Sequence, residues 1–139
     1  MNKEKVSLME LPKIADDRGS ITFIEWKKHI PFEANRIFYI YDVPKGKERG
    51  AHAHKKCRQI FISLNGAFDV LVDDGHEKIS YRLMSPSQGL YVPNGMWVEL
   101  KNMFPGAVAL VLCSETYDET DYIRDYDIFQ EAKANDTGV

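Results

Sequence analysis

Most of the features that would assign this sequence quickly are missing from it. Cysteine is scarce: of 139 residues only Cys57 and Cys113 carry a thiol, in no CxxC or disulfide pattern. That argues against a disulfide-stapled scaffold and leaves two reduced thiols of a cytosolic protein. Long apolar runs are absent, none approaching the roughly 20 residues of a membrane span. The opening MNKEKVSLMELPKI has no long apolar core and no small-residue cleavage site, so no secretory signal and a cytoplasmic location are expected. Repeats, linkers and low-complexity blocks are absent, and so is a Gly-rich nucleotide loop. Nor is positive charge in excess. A net charge of −3 gives no general attraction to nucleic acid or anionic lipid, so any bound anion must meet a local basic patch.

What is present is an ordinary globular composition, 44% hydrophobic, 28% charged and 12% aromatic. The length suits one domain over 1–139, with a tail after about Lys133. Its texture is short runs rich in Ile, Val, Tyr and Phe, broken by turn residues. Strands are expected at 6–10, 20–25, 36–42, 50–54, 59–66, 68–73, 77–83, 89–92, 96–100 and 107–114. Asp74-Gly75 signals a tight hairpin, because Gly takes positive φ readily; Asn65-Gly66 and Asn94-Gly95 mark two further turns. Many short strands at close spacing predict an all-β sandwich or barrel rather than a parallel sheet with crossover helices. Only ETDYIRDYDIFQEAKAN has helical spacing, with Ile123, Tyr126 or Ile128, and Phe129 on one short amphipathic face.

The chemistry concentrates in RGAHAHKKCRQIFISLNG, where His52 and His54 stand one residue apart. In a strand such residues share a face, with Ala51 and Ala53 on the other. Two neighbouring imidazoles form a metal edge, a proton-transferring pair, or a polar patch in a core. The spacing Gly50-x-His52-x-His54, then Gln59 and Gly66, resembles the first signature of the cupin superfamily, which are jelly-roll β-barrels. Metal-binding cupins have glutamate where this chain has Gln59. Their second signature resembles Pro93-Asn94-Gly95-Met96-Trp97-Val98, with Val98 in the place of a final histidine. Two histidines and an amide make a poor set for a divalent transition metal, and Cys57 sits too near His54 in sequence to be favoured as a third ligand. No metal is expected. General acid–base work remains, for which a neutral-pH imidazole is suited. Tyr39 is the candidate tyrosine partner, while Tyr41, on the same face of RIFYIYD, reads as barrel core.

The ordered set DDRGS, RIFYIYD, RGAHAHKK, ISLNG, GLYVPNGMW and SETYDETDYIRDYDIF resembles the dTDP-sugar 3,4-ketoisomerases, metal-free cupins, from about Ile14 to Phe129. The resemblance implies a cupin jelly roll with a short C-terminal helical segment, and no cofactor. It implies transfer of a ketone from C4 to C3 of dTDP-4-keto-6-deoxyglucose through an enediol, supplying a 3-amino sugar pathway. His52 and His54 fall on the family's catalytic histidines, and Tyr39 is assigned beside them. The diphosphate calls for cations, with Arg18 and Arg49 favoured over Lys55, Lys56 and Arg58. Gln59 is assigned to the sugar with a structural amide as the alternative, Tyr91 and Trp97 to base or sugar or equally to barrel lining, and the acidic residues and Arg124 of the C-terminal motif to anchoring. Arg18 within DDRGS resembles galacto-forming members, although Val98 departs from their polar residue. A homodimer is expected, as in cupins, to protect strand edges.

Two other readings stay open. A dTDP-4-keto sugar 3,5-epimerase shares the first chemical step but pairs a histidine with a distant aspartate in place of the HxH pair. A non-catalytic sugar-nucleotide-binding cupin would use the histidines for recognition alone.

Overall fold

The computed structural model describes residues 4–135. Its frame follows from apolar residues recurring at alternate positions of short β-prone runs. The strands are β1 (Ser7–Glu10), β2 (Lys13–Asp16), β3 (Gly19–Thr22), β4 (Arg36–Ile40), β5 (Arg49–His54) and β6 (Gln59–Asn65). They continue as β7 (Phe68–Asp73), β8 (Lys78–Leu83), β9 (Gln88–Val92), β10 (Trp97–Lys101), β11 (Val108–Cys113) and β12 (Tyr122–Ile123), before helix α1 (Tyr126–Asn135). Two five-stranded sheets form, ordered β1-β9-β6-β11-β4 and β12-β5-β10-β7-β8, beside a separate β2–β3 hairpin. From β4 onward successive strands cross between the sheets, except at the β7–β8 hairpin, where Asp73 pairs with Lys78 around the Asp74-Gly75 turn. This interleaving is the jelly roll of a cupin.

The period of two sorts the side chains. Phe61, Leu90, Val92 and Val111 of one sheet meet Phe68, Val70, Val72 and Leu100 of the other in the interior. Ile60, Ile62, Tyr91 and Leu112 point outward and are covered by Ile30 and Phe32 of the β3–β4 connection. On the back of the second sheet, Ala53 and Trp97 are covered by Phe129 of α1. Fully burying a Phe side chain stabilises by about 1.5–3 kcal/mol, enough to seat a short helix that could not hold alone.

Several boundaries differ from expectation. β2 and β12 carry no strong strand signal, being held by their partners rather than by propensity. The run expected over 36–42 stops at Ile40, and Tyr41, read as core, is 58% exposed because its strand turns that face outward. Helix α1 begins only at Tyr126, where the Asp125 side chain accepts the backbone N–H groups of Asp127 and Ile128. Ile123 therefore lies in β12 rather than on a helical face. The helix runs past Lys133 to Asn135, and the rest of the expected tail lies outside the described residues.

Candidate active site

β5 carries the site because of an irregularity in its pairing with β10. Val98 opposes His52 and Glu99 opposes Gly50, so Ala51 is left over as a bulge. Gly50 has φ +86°, and a Cβ there would lie 3.0 Å from the Val98 carbonyl oxygen, so the turn requires glycine. Past the bulge His52 and His54 share a face, their ring centroids 5.0 Å apart and edge to face. Ala53 points the other way, beneath α1.

The C-terminal segment returns along the free edge of β5 as β12, placing Tyr122 opposite His54. The Tyr122 ring lies 4.9 Å from that of His52 and 4.4 Å from that of His54. One residue earlier, Asp121 is buried at 7% exposure and places Oδ2 2.8 Å from Nδ1 of His54, itself 5% exposed. The Asp121 carboxylate also accepts the backbone N–H of Lys56 at 2.6 Å and of Cys57 at 3.3 Å.

His52 borders a cavity of about 460 Å³ walled by β4 and β6 of one sheet and β5, β10 and β12 of the other. That volume suits a small-molecule site. Arg49 and Arg124 stand at its rim, Gln59 and Val98 in its wall. Arg124 lies over the Tyr122 ring at 4.3 Å and bonds Glu119, while Arg36 donates to the Tyr122 hydroxyl at 3.5 Å. Burial, then the neighbouring His54, pushes His52 down to about 4. Burial also lowers His54, an effect that Asp121 opposes. Both imidazoles are thus held neutral near pH 7, the form that accepts a proton. Cavity, paired neutral bases and rim cations together suit proton transfer on an anionic small molecule.

A ligating atom each of His54, Cys57 and Asp121 lies within 4.8 Å of the others, the composition of a transition-metal site. The fit is poor. Contact with Cys113 and burial hold the Cys57 thiol far up, and both Asp121 oxygens already accept N–H groups. Neither Gln59 nor Val98, at the remaining cupin ligand positions, offers a charged donor.

Residues 4–134 match the family described as FdtA: WxcM-like, C-terminal. The chain belongs to the FdtA family. A relative, the TDP-4-oxo-6-deoxy-alpha-D-glucose-3,4-oxoisomerase of Aneurinibacillus thermoaerophilus, is 45% identical over 92% of this chain and 94% of its own. QdtA, a sugar 3,4-ketoisomerase from Thermoanaerobacterium thermosaccharolyticum solved with TDP, superposes with a TM-score of 0.92 at 42% identity, covering 95% of this chain and 96% of its own. A histidine-to-asparagine variant of QdtA, at 41% identity and a TM-score of 0.92, is solved with TDP-4-keto-6-deoxyglucose. The dTDP-4-dehydrorhamnose 3,5-epimerase of Bacillus anthracis shares the fold, with a TM-score of 0.74 at 20% identity, covering 84% of this chain and 76% of its own.

Within this FdtA-family chain the structure brings His52, His54, Arg49 and Gln59 together around or behind the cavity. Gln59 is buried and its amide donates to the Cys113 sulfur at 3.5 Å. Tyr39 borders the rim, but it lies on the outward face of β4, 61% exposed and stacked on Tyr41. The tyrosine beside the histidines is Tyr122. Arg18 lies in the β2–β3 turn, where Asp16 holds it at 2.6 Å, and it does not border the cavity. Tyr91 is buried on the outer face of β9 against Phe32, because alternation gives the interior to Leu90 and Val92. Burial, with Glu4 nearby, pushes its hydroxyl up to about 12. Trp97 likewise faces α1 and donates to Glu99.

The C-terminal motif lies beside the histidines and the cavity. Asp121, Tyr122 and Arg124 all belong to YDETDYIR, the most specific signature in the sequence, and that specificity was the available signal. The contrast drawn with epimerases also fails as a criterion, since this chain pairs a histidine with an aspartate 67 residues away in addition to its HxH pair.

Proposed function

We propose that the protein is a dTDP-4-keto-6-deoxy-D-glucose 3,4-ketoisomerase. The observation that carries this is His52: a half-buried, neutral imidazole at the cavity wall, in a chain related to 3,4-oxoisomerases along nearly its whole length. In this reading His52 takes the C3 proton, the electrons move into an enediol, and the proton is returned at C4. His54 handles the proton passed between the two oxygens. Tyr122, rather than Tyr39, is the hydroxyl beside them. Arg49 and Arg124 at the rim meet the diphosphate, since a guanidinium bonds two oxygens in its plane, and Gln59 presents its amide to the sugar. No metal or cofactor is needed for these proton transfers.

Three finer readings accompany this one. The product has the galacto arrangement at C4, a reading supported by the DDRGS turn. The enzyme works in the cytoplasm on a soluble sugar nucleotide; among the described residues no helix is long and apolar enough to cross a membrane. It is a homodimer, supported by exposed Ile14 and Ile21 on the hairpin and by Ile37 and Tyr39 on the edge strand β4.

The test is incubation with dTDP-4-keto-6-deoxyglucose in deuterated water, following the sugar by NMR. The ketone signal should move from C4 to C3 with deuterium entering the ring, and a parallel run in ordinary water should show a small H4–H5 coupling in fresh product. Replacing His52 by Asn should lower kcat by about 10²–10⁴-fold. Binding without isotope exchange would establish the non-catalytic reading instead, exchange with inversion at C3 and C5 the epimerase, and a large H4–H5 coupling the gluco product.

A further inference from the structure

We propose that Asp121 is a positioning residue for the reaction: it holds His54 in the Nδ1–H tautomer, so that bare Nε2 acts as the proton acceptor beside His52. This rests on the ketoisomerase reading for its kinetic consequence, but its structural content stands on the geometry alone.

The geometry is specific in three respects. First, Asp121 is loaded with donors. Oδ1 accepts the Lys56 N–H, and Oδ2 accepts the Cys57 N–H while lying 2.8 Å from His54 Nδ1. A carboxylate that receives backbone N–H groups on both oxygens is an acceptor, so the proton in the His54 contact sits on Nδ1. Second, Nε2 on the opposite side of that ring is buried with no hydrogen-bond partner among the described residues, as is Nδ1 of His52. A buried imidazole nitrogen left without a partner is costly unless something visits it. Third, the ring is confined on its other sides by Tyr122 and His52, both of which border the cavity. His54 itself lies behind that border.

These features assign a division of labour. A proton that reaches Nε2 from one sugar oxygen is passed on to the other, so the cycle ends with His54 neutral and no net proton gained or lost. Between those two moments the ring is a cation in a site that disfavours cations. The fixed carboxylate on Nδ1 is what makes that state accessible, and it remains ionised throughout. A purely structural role would need only the two backbone N–H contacts that tie the β5–β6 connection to the 3₁₀ turn at Glu119–Asp121.

Asp121→Asn separates the two roles. The amide oxygen still accepts the Lys56 N–H, but its NH₂ faces Nδ1 and favours the opposite tautomer, with the proton on Nε2. Long-range ¹H–¹⁵N NMR of the imidazoles should show His54 protonated on Nδ1 in the unmodified protein at pH 7 and on Nε2 in Asp121→Asn. kcat should fall by about 10²–10⁴-fold with KM within about threefold, and Asp121→Glu should recover part of the loss. Unmodified protein with His54 protonated on Nε2 overturns the proposal, and this readout needs neither the variant nor a substrate. So does a folded Asp121→Asn that shows the switched tautomer yet turns over as fast as the unmodified protein. Absence of any turnover by the unmodified protein, with the Nδ1–H tautomer observed, would refute the ketoisomerase reading while leaving the tautomer assignment intact.

Discussion

Acidification is the sharpest probe of the site, because His52 is displaced from its ordinary 6.5 to about 4. If neutral His52 is the base, kcat/KM follows the fraction of free enzyme in which it is unprotonated. At pH 5.5 a group titrating near 4 is about 97% neutral, whereas one titrating at 6.5 is about 9% neutral, a tenfold difference in rate. The acid limb set by His52 should therefore be centred near pH 4 rather than 6.5. The diphosphate diester of a sugar nucleotide does not titrate in this range, so it adds no limb of its own. Stability follows with the same sign. The unfolded chain binds protons at His52 and His54 below about 6.5, whereas the native chain resists until lower pH, so stability is full above about 6.5 and declines as pH falls toward 4. Asp16, Asp74, Asp118 and Glu119, lowered by their partners, add their losses only at more acid pH. The assay is initial-rate kinetics in overlapping buffers, with thermal unfolding recorded at each pH so that lost rate and lost fold are told apart. An acid limb centred near 6.5 in protein that remains folded would refute the claim that burial and His54 depress this base.

Exhaustive EDTA treatment should leave turnover unchanged, because the cupin ligand positions hold Gln59 and Val98; activity lost on chelation and restored by zinc, iron or manganese would overturn this. Gly50→Ala should destabilise by about 1–3 kcal/mol through strain at positive φ, measured as a lowered Tm. It should also reduce kcat beyond what partial unfolding explains, since the bulge aims His52. Light scattering should return a dimer mass; a monomer at all concentrations would remove the pairing role assigned to β4 and the hairpin.

How much of this was legible beforehand depended on the range of the interaction involved. Alternation of apolar residues is a local property, and it placed ten of the strands, the turns at Asn65-Gly66, Asp74-Gly75 and Asn94-Gly95, and the shared face of His52 and His54. It could not reveal β12, two residues long and without a strand pattern of its own, which exists because the edge of β5 offers it hydrogen bonds. Nor does a motif say which face of a strand meets the cavity. Tyr39 and Tyr91 have the residue type that such a site would use, but β4 and β9 give their inward positions to Phe38, Ile40, Leu90 and Val92.

The sequence by itself determined that the chain would be an all-β sandwich or barrel of short strands, and that His52 and His54 would share one face of a strand. Both follow from spacing, a property carried by neighbouring residues. Only the tertiary structure decided which groups surround those imidazoles. The Asp121 carboxylate reaches His54 across 67 positions of chain, Tyr122 arrives from the same returning segment, and Arg18 departs on a hairpin of its own. Burial, likewise a property of the assembled sheets, is what lowers both imidazoles from their ordinary range, His52 to about 4.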